Sequence, residues 1–481
     1  MSKKSNFIGR ERELKILNKF VKKKTASLLA IKGRRRIGKS RLVAEFAARN
    51  KIKLLSFAGL APEKGITAQN QRNEFAKQMG FNSLITNDWS DLFRALAGEV
   101  RQGRVIVLLD EISWMAHDDP TFLPKLKNAW DLSFKKNNQL ILILCGSASS
   151  WMERNLLSST GFVGRISFVL TLEELRLDEI HCFWGKQTKN ISAYEILKIL
   201  STTGGVPKYL EEIDLHLTAE ENIKDLCFTK GGLLFEEFGN IFDSSFMRKS
   251  DMYGKIVRLL AGKAAEAAEL SKVLNIKSVG RLSEYLEELE LAGFVKRDYT
   301  WKLASGQDAK LSKYRLSDNY LRFYLKYIDK YKTQIERGSF DVRSLTSLPA
   351  WDSVMALQFE NLVLHNRDII LKVLGIRHED VVSENPYFQH GTTKQKGCQI
   401  DYMIQTKHRS LYVCEIKFSR NIIGASITDE VQQKIDALKG LRGFSYRPVL
   451  IHAGEVHKDI ETSDYFAKII NFGTLFQLDI H

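Results

Sequence analysis

A glycine-rich segment near the start of the chain has the residue types and spacing of a phosphate-binding loop. Residues 33–40 read GRRRIGKS and match GxxxxGK[ST] at each fixed position. Glycines let backbone N–H groups turn toward a phosphate. We expect Lys39 to reach the β- and γ-phosphates of ATP and the Ser40 hydroxyl to ligate Mg²⁺. The other predicted nucleotide contacts in and beside this loop are Gly33, Arg34, Arg35, Arg36, Ile37, Gly38 and Arg41.

The segments on either side of this loop indicate the elements that would position it. Residues 27–32 form a short apolar run with strand character, and apolar residues recur at helical spacing over 42–47. Strand, loop and helix thus follow in the required order, and the helix adds its positive dipole end. A basic turn that matches by chance is the alternative, which these flanking elements disfavour.

Two acidic residues follow a second apolar strand. Residues 104–110 read RVIVLLD, and Glu111 comes next. Because ligands of open α/β sheets bind at the carboxyl ends of strands, these acids are expected beside the loop. Asp110 would hold Mg²⁺ through water, and Glu111 would polarise the attacking water. The alternative is a buried strand that ends at an acidic turn.

Two further strands offer polar residues near the same edge. The run 140–145 is followed by Ser147, which we predict contacts the γ-phosphate, although an ordinary strand-end turn would look alike. Arg165 opens the run 165–170. It is either a phosphate contact, within one chain or in a neighbouring subunit, or an ordinary surface arginine.

Six segments in one order resemble the AAA+-type ATPases that are abundant in archaea and scattered through bacteria. They are FIGRERELKIL (7–17), GRRRIGKS (33–40), LLDEISWM (108–115), CGSASSWM (145–152), GRISFVLTLEEL (164–175) and GGVPKYL (204–210). This resemblance covers roughly the first half of the chain. It implies an ATPase that converts ATP and water to ADP and phosphate with Mg²⁺. It also implies that the first segment lies near the nucleotide base and the last in a helical lid, where Lys208 stands without an evident sensor arginine.

The middle of the chain shows the pattern of three helices followed by a hairpin, which is typical of a winged helix-turn-helix. The helices are expected around 256–260, 268–274 and 278–289, and the hairpin around 294–303. Lys277 and Arg281, with Lys296 and Arg297 in the hairpin, are available for DNA. Because four glutamates on the third helix would repel phosphates, we favour an interdomain or weakly DNA-contacting module over a sequence reader.

A second group of charged residues lies near the C-terminus. Asp401 and Glu415 are 14 residues apart on two apolar strands, and Lys417 shares a strand face with Glu415. A hairpin turning at 407–409 would bring the two carboxylates side by side. With Glu360 from a helix they would offer oxygen ligands to Mg²⁺, and Lys417 would orient water or stabilise charge on a phosphate.

This D…ExK arrangement resembles the PD-(D/E)xK nuclease fold, and also the domain of unknown function that often follows this type of ATPase. The resemblance spans roughly the last quarter of the chain, with Ile400 in place of the usual proline before the first acid. It implies catalytic roles for Asp401, Glu415 and Lys417, and it points to Gln432 or Gln433 as a further polar contact. An edge strand with solvated charges and a non-cutting relative remain open alternatives.

The charge of the chain is concentrated near its start. Residues 1–41 carry 15 basic and 2 acidic side chains, a net +13, and the other 440 residues carry 57 − 55 = +2. Such a segment attracts phosphates, but the chain is not a uniformly basic nucleic-acid coat. An apolar content of 44% and a charged content of 27% exclude a wholly disordered or fibrous chain.

The cysteines and the lengths of the apolar runs indicate the cellular compartment in which the protein is expected. The five cysteines are scattered, without a CxxC pair or a histidine cluster, so we expect reduced thiols rather than a zinc site. An apolar signal core is lacking at the N-terminus, and the longest apolar runs are too short to span a bilayer. These features predict a soluble, cytoplasmic protein without a membrane partner.

We therefore predict an α/β, multidomain fold: a P-loop NTPase parallel sheet with a helical lid, a winged helix and a C-terminal α/β nuclease-like domain. The expected boundaries are 1–172 for the ATPase core, 173–248 for the lid, 249–310 for the winged helix, 311–350 for a helical linker and 351–481 for the nuclease-like domain. One hypothesis is a Mg·ATP-dependent ATPase that controls a nuclease acting on DNA. The other is a nucleotide switch whose C-terminal domain only binds a partner or nucleic acid. A homo-oligomer is left open.

Overall fold

The computed structural model describes residues 7–81, 87–147, 149–185, 188, 191–241, 251–276, 278–393, 396–438 and 443–477. The chain falls into two units, which meet in sequence between Leu175 and Arg176. Lys277 and Ala148, which the sequence analysis touched on, lie outside the described residues. Within the described ranges, every helix is too short or too polar to cross a membrane.

The N-terminal unit alternates strands and helices. Its strands are β1 Ser27–Lys32, β2 Lys53–Ala58, β3 Val105–Asp110, β4 Leu140–Gly146 and β5 Ile166–Thr171. Its helices are α1 Glu11–Val21, α2 Lys39–Arg49, α3 Ala68–Gln78, α4 Trp89–Glu99, α5 Ile112–Met115, α6 Phe122–Leu132 and α7 Ser149–Met152. Short 3₁₀ and π segments cover Phe134–Lys136 and Glu153–Leu157.

These strands form a parallel sheet with the order β2-β3-β4-β1-β5. Successive residues of a strand point to opposite faces, so β4 divides its side chains between two cores. Leu142 and Leu144 pack into one core, and Ile141 and Ile143 pack into the other. A parallel sheet covered on both faces explains why these strands read as continuous apolar runs. The predicted α/β fold with a parallel sheet is confirmed.

The strand order brings three loops together. Strand β4 lies between β1, which leads into the phosphate loop, and β3, which ends at Asp110. Because all these strands are parallel, the segments after β1, β3 and β4 leave the same edge of the sheet. The residues that the sequence analysis selected from these segments are therefore neighbours in space.

The C-terminal unit opens with helices. Before the first hairpin they are α8 Leu177–Trp184, α9 Ala193–Thr203, α10 Pro207–Leu210, α11 Ala219–Cys227, α12 Leu233–Phe238, α13 Asp251–Leu260, α14 Ala267–Val273 and α15 Val279–Leu291. The hairpin consists of β6 Val295–Trp301 and β7 Asp308–Leu316, and it is followed by α16 Asn319–Phe323, a π segment over Tyr324–Ile328, α17 Asp329–Glu336, a 3₁₀ turn over Leu345–Ser347, α18 Trp351–His365 and α19 Arg367–Val373.

A mixed sheet closes the unit. Its elements, with the helices between them, are β8 Val381–Gln389, β9 Cys398–Thr406, β10 Ser410–Phe418, α20 Ser426–Leu438, β11 Ser445–Ala453, α21 Lys458–Glu461 and β12 Lys468–Asn471. Short 3₁₀ segments cover His378–Asp380 and Phe472–Gln477. The order is β12-β11-β10-β9-β8, with β8, β9 and β10 antiparallel and β10, β11 and β12 parallel.

The three helices α13–α15 and the hairpin β6–β7 have the element order of a winged helix. The hairpin reaches Leu316, six residues past the predicted boundary at 310. One hydrophobic core joins residues of the predicted lid, winged helix and linker, including Val206, Leu286 and Tyr320. The lid, the winged helix and the linker therefore pack together, and their assignment as separate domains stays a prediction.

The hairpin is also fastened to the C-terminal sheet. The buried Trp301 indole donates to Gln405 Oε1 at 2.6 Å, and Gln405 Nε2 donates to the Leu303 carbonyl at 2.9 Å. Trp301 packs in one hydrophobic cluster with Ile400 and Leu411. This side of the hairpin thus contacts protein, and the interdomain role that we favoured stays a prediction.

Candidate functional site

Glycine at two positions allows the chain to enter and leave the phosphate loop. A Cβ on Gly33 would lie 2.4 Å from the Leu172 carbonyl oxygen, so any side chain there would force the backbone to shift. Gly38 precedes α2 with φ of 90°, in the region that glycine adopts most readily. The loop therefore needs glycine at its first position for space and at its sixth for conformation.

Lys39 begins α2 and turns its side chain back across the loop. Its Nζ donates to the Gly33 carbonyl at 2.9 Å and to the Arg34 carbonyl at 3.0 Å. Burial lowers the pKa of Lys39, while the negative charges of Glu111 and Asp110 act in the opposite direction. The ammonium is thus held inside the loop, where a bound phosphate would meet it.

Ser40 and Asp110 come together across the sheet edge. The Ser40 hydroxyl donates a hydrogen bond to Asp110 Oδ2, although 70 residues separate them in sequence. Asp110 Oδ1 accepts from the Glu111 backbone N–H at 3.1 Å. A hydroxyl and a carboxylate in contact, beside a lysine, form the oxygen set that suits Mg²⁺ at a triphosphate. The donor chemistry therefore fits the predicted metal.

Glu111 and Ser147 also lie in direct contact. Glu111 Oε2 accepts from both the backbone N–H of Ser147, at 3.1 Å, and its hydroxyl, at 2.9 Å. Glu111 has a φ of 50°, which turns the chain sharply after β3. Two predicted residues from different strands are therefore neighbours, and Ser147 orients the carboxylate.

The arginines of the loop have different surroundings. Arg34 Nη1 lies 3.1 Å from Glu174 Oε1, and the Arg35 guanidinium lies over the Trp114 ring at 5.5 Å. Arg36 is exposed, with φ of 69°. Ile37 packs into the core beneath the loop, and Arg41 is exposed on α2. Their contacts with nucleotide stay predictions.

Arg165 and Lys208, two basic residues that the sequence analysis named, each form an ion pair with a nearby acid. Arg165 contacts both carboxylate oxygens of Asp131 at 2.8–3.1 Å, and this arginine holds the pKa of Asp131 well below its usual range. Lys208 pairs with Glu212, which lies just beyond the end of its helix. In this conformation each of these basic groups lies against a carboxylate of its own unit.

Sequence reasoning missed Arg10 as a structural link. Its buried side chain donates from Nη2 to the Glu173 carbonyl at 2.6 Å and to the Ile37 carbonyl at 3.3 Å. Arg10 itself adopts φ of 65° ahead of α1. The sequence signal that could have indicated this role was the FIGRERE segment. From the family resemblance we expected this segment near the nucleotide base, not in contact with the backbone of the loop.

The C-terminal candidates also gather around one strand. The chain turns at 407–409 as expected, and β9 pairs with β10 so that Tyr402 faces Cys414. Asp401 Oδ2 accepts from the Ile416 backbone N–H at 2.9 Å. Lys417 Nζ lies 3.2 Å from Glu415 Oε1 and 2.8 Å from Glu430 Oε2.

Sequence reasoning also missed Lys434, on α20. Its ammonium contacts Glu415 Oε2 and lies 3.7 Å from Asp401 Oδ1, so it bridges the two carboxylates. The resemblance had pointed to Gln432 or Gln433 on the same helix. Gln432 instead hydrogen-bonds to Asp436 and Tyr465, and Gln433 is exposed.

Burial and mutual repulsion perturb the acids of this second site. Burial is the main cause that raises the pKa of Glu360 to about 7, and the negative charge of Asp401 adds to it. Burial is also the main cause that raises the pKa of Asp401 to about 6, and the negative charge of Glu415 adds to it. The negative charges of Asp401 and Glu415 thus act on Glu360, which lies on α18. Across the described parts of the chain, however, no group of three acids, histidines or cysteines has the geometry to hold a metal ion.

The first part of the chain matches a known protein family, and individual known proteins resemble a larger share of the chain. Residues 7–213 match a family described as an ATPase domain predominantly from Archaea. An uncharacterized protein of Methanocaldococcus jannaschii is 27% identical over 342 residues, covering 70% of this chain and 72% of that protein. A Walker-type ATPase of Pyrococcus abyssi is 19% identical, covering 67% of this chain and 97% of its own, with a TM-score of 0.49. The Aeropyrum pernix ORC2 protein, solved with ADPNP and ADP, is 15% identical, covering 68% and 97%, with a TM-score of 0.42.

The family match spans the loop at 33–40, Asp110, Glu111 and Ser147. It supports the prediction that this part of the chain is an ATP-binding P-loop ATPase domain. Asp401, Glu415 and Lys417 lie beyond the matched residues, so the nuclease-like character of the second site stays a prediction.

Proposed function

We propose that the protein is a Mg²⁺-dependent ATPase whose N-terminal unit binds and hydrolyses ATP. The observation that carries this proposal is the convergence of Lys39, Ser40 and Asp110 at the carboxyl edge of a parallel sheet. Loop amides and the N-terminus of α2 provide donors and a positive dipole for the triphosphate. The match with an archaeal ATPase domain supports the same activity.

The chemistry follows from the contacts around the loop. Lys39 places its ammonium where charge builds up on the β- and γ-phosphates. Ser40 and Asp110 would hold Mg²⁺, which neutralises phosphate charge when bound. Both hydrogen bonds from Ser147 end on Glu111 Oε2. We therefore assign Glu111 Oε1 to the attacking water, which it would orient and polarise.

Replacing Glu111 with glutamine tests this assignment. The amide keeps the size of the side chain and removes the charge that polarises water, so ATP binding should persist while phosphate release stops. Titration with a fluorescent ATP analogue and a phosphate-release assay measure the two properties separately. Unchanged turnover in Glu111→Gln would remove Glu111 from this role.

For the C-terminal unit we propose a nuclease-like domain that acts on DNA under control of the nucleotide state. Asp401 and Glu415 from paired strands, with Lys417 two residues beyond Glu415, support this proposal. A triphosphate that contacts the loop differently in two conformations would bias the equilibrium between them. The domain boundaries at 173, 249, 311 and 351 belong to the same proposal.

The second candidate is a nucleotide switch whose C-terminal domain binds a partner or nucleic acid without cutting it. One observation favours it: Lys434 and Lys417 both pair with Glu415, and Lys434 also approaches Asp401. These ammonium groups neutralise the carboxylates that a catalytic metal would need. Glu415 and Asp401 then act as part of an internal ion-pair network.

A nuclease assay separates the two candidates. The intact protein, Asp401→Ala and Glu415→Ala are incubated with labelled single- and double-stranded DNA, with Mg²⁺ or Mn²⁺ and with or without ATP. Metal-dependent cutting that is lost in both variants supports the nuclease. DNA left intact under every condition supports the switch.

A further inference from the structure

The segment Leu172–Glu174, here called the exit segment, follows β5 and ends one residue before the boundary between the two units. It contacts the start of the phosphate loop directly. The Leu172 N–H donates to the Lys32 carbonyl at 2.8 Å, and the Leu172 carbonyl occupies the space that a side chain at Gly33 would need. The exit segment therefore forms one wall of the loop.

Two arginines extend this connection to both halves of the loop. Arg34, in the first half, donates from Nη1 to Glu174 Oε1 at 3.1 Å. Arg10 donates from one nitrogen to the Ile37 carbonyl in the second half and to the Glu173 carbonyl. A rearrangement of the loop therefore has to break these contacts or move the exit segment with it.

The side-chain pair is placed to transmit such a change. Arg34 is only 9% exposed and Glu174 only 20% exposed, so solvent screens their attraction less than that of a surface pair. Separating the two charges would leave a largely buried carboxylate and a largely buried guanidinium without each other. The loop and the exit segment are thus coupled electrostatically as well as through the backbone.

We propose that Glu174 is a positioning residue for ATP binding. Through Arg34 it holds the first half of the loop in the shape that receives the triphosphate. A loop that carries ATP in turn holds the exit segment, because coupling between two equilibria is reciprocal. The inference rests on the proposed function only in that ATP binds this loop. It adds a route by which the occupied loop reaches the last residues of its unit.

The test compares Glu174→Ala and Glu174→Gln with a matched control, Glu153→Ala, in the full-length protein. Glu153 accepts from Lys32 at 2.9 Å beside the same loop, but it is not part of the exit segment. A fluorescent ATP analogue with Mg²⁺ measures affinity. Hydrogen–deuterium exchange of the peptide 170–176, with and without saturating ATP, measures the response of the exit segment.

We expect ATP to slow exchange of this peptide in the wild type and in Glu153→Ala. In Glu174→Ala, the affinity should fall about threefold to tenfold, as expected for losing one partly shielded ion pair. The slowing should be reduced in this variant even at saturating ATP, while the Arg10 and backbone contacts that remain preserve part of it. Glu174→Gln keeps an oxygen that can accept from Arg34, so both effects should be smaller and in the same direction.

Wild-type affinity together with wild-type slowing in Glu174→Ala would overturn the inference. Equal losses in Glu174→Ala and Glu153→Ala would overturn it too, because a general change at the sheet edge would then explain them. If Glu174→Ala loses its native circular dichroism, Glu174→Gln decides, and an unchanged response there contradicts the proposal. A wild type that binds no nucleotide would instead refute the proposed function itself.

Discussion

Replacing Lys434 with methionine tests whether the C-terminal carboxylates depend on an internal counterion. Lys434 Nζ contacts Glu415 Oε2 and lies 3.7 Å from Asp401 Oδ1. The side chains of Glu415 and Asp401 are 4% and 14% exposed, whereas Lys434 is 23% exposed. Because methionine is similar in length, the substitution removes the charge and little of the packing.

The size of the effect follows from this burial. Removing one partner of a fully buried ion pair costs about 3–5 kcal/mol. The lysine head is partly screened by solvent, so we expect a loss of about 1–3 kcal/mol. Adding Glu415→Gln to Lys434→Met should recover part of this loss, because the uncompensated carboxylate is then gone.

Calorimetry of the full-length protein measures the change as a shift of the melting transition of the C-terminal unit. The midpoint of Lys434→Met should fall by about 2–6 °C. Lys417→Met is the control. It should lower the melting midpoint less, because Glu415 still forms its ion pair with Lys434 in this variant. Equal midpoints for Lys434→Met and the wild type would refute the reasoning. Strictly additive effects in the double variant would show that the two charges do not interact.

Three further predictions concern separate parts of the molecule. Gly33→Ala should abolish binding of a fluorescent ATP analogue, because its Cβ would meet the Leu172 carbonyl oxygen; wild-type affinity would contradict the loop geometry. Gln405→Leu should destabilise the C-terminal unit by about 2–5 kcal/mol, since it leaves the Trp301 N–H and the Leu303 carbonyl unpaired, and an unchanged melting midpoint would argue against this clamp. Glu360, with its pKa raised to about 7, binds more protons in the folded state than in the unfolded state, so stability should fall as the pH rises from about 4.5 to 7. Glu360→Gln should therefore gain stability relative to the wild type across that range. The same dependence of the melting midpoint on pH in both proteins would contradict this.

Local patterns were sufficient for the parts of the site that depend on neighbouring residues. The strand–loop–helix around Lys39 and the acidic end of β3 were predicted from spacing, and the parallel sheet confirms their setting. The turn at 407–409 also followed from the spacing of Asp401 and Glu415. In each case a short segment carries its own signal of turn, strand and polarity.

Long-range contacts were beyond such patterns. Arg10 reaches Glu173 across 163 residues, and Trp301 reaches Gln405 across 104. Strand β4 lies between β1 and β3, and this order brings Ser147 to Glu111. The spacing of apolar residues within a strand does not predict the order of strands in a sheet. Lys434 looked like an ordinary helix lysine, because its role depends on which face of α20 meets the sheet.

Equilibrium binding of Mg·ATP to the purified full-length protein tests the central claim most directly. Isothermal titration calorimetry should give one site per chain for the wild type and a loss of affinity of at least about tenfold for Lys39→Ala, which removes the ammonium that meets the phosphates. Equal affinity in the two proteins, or no heat of binding in the wild type, would contradict the account.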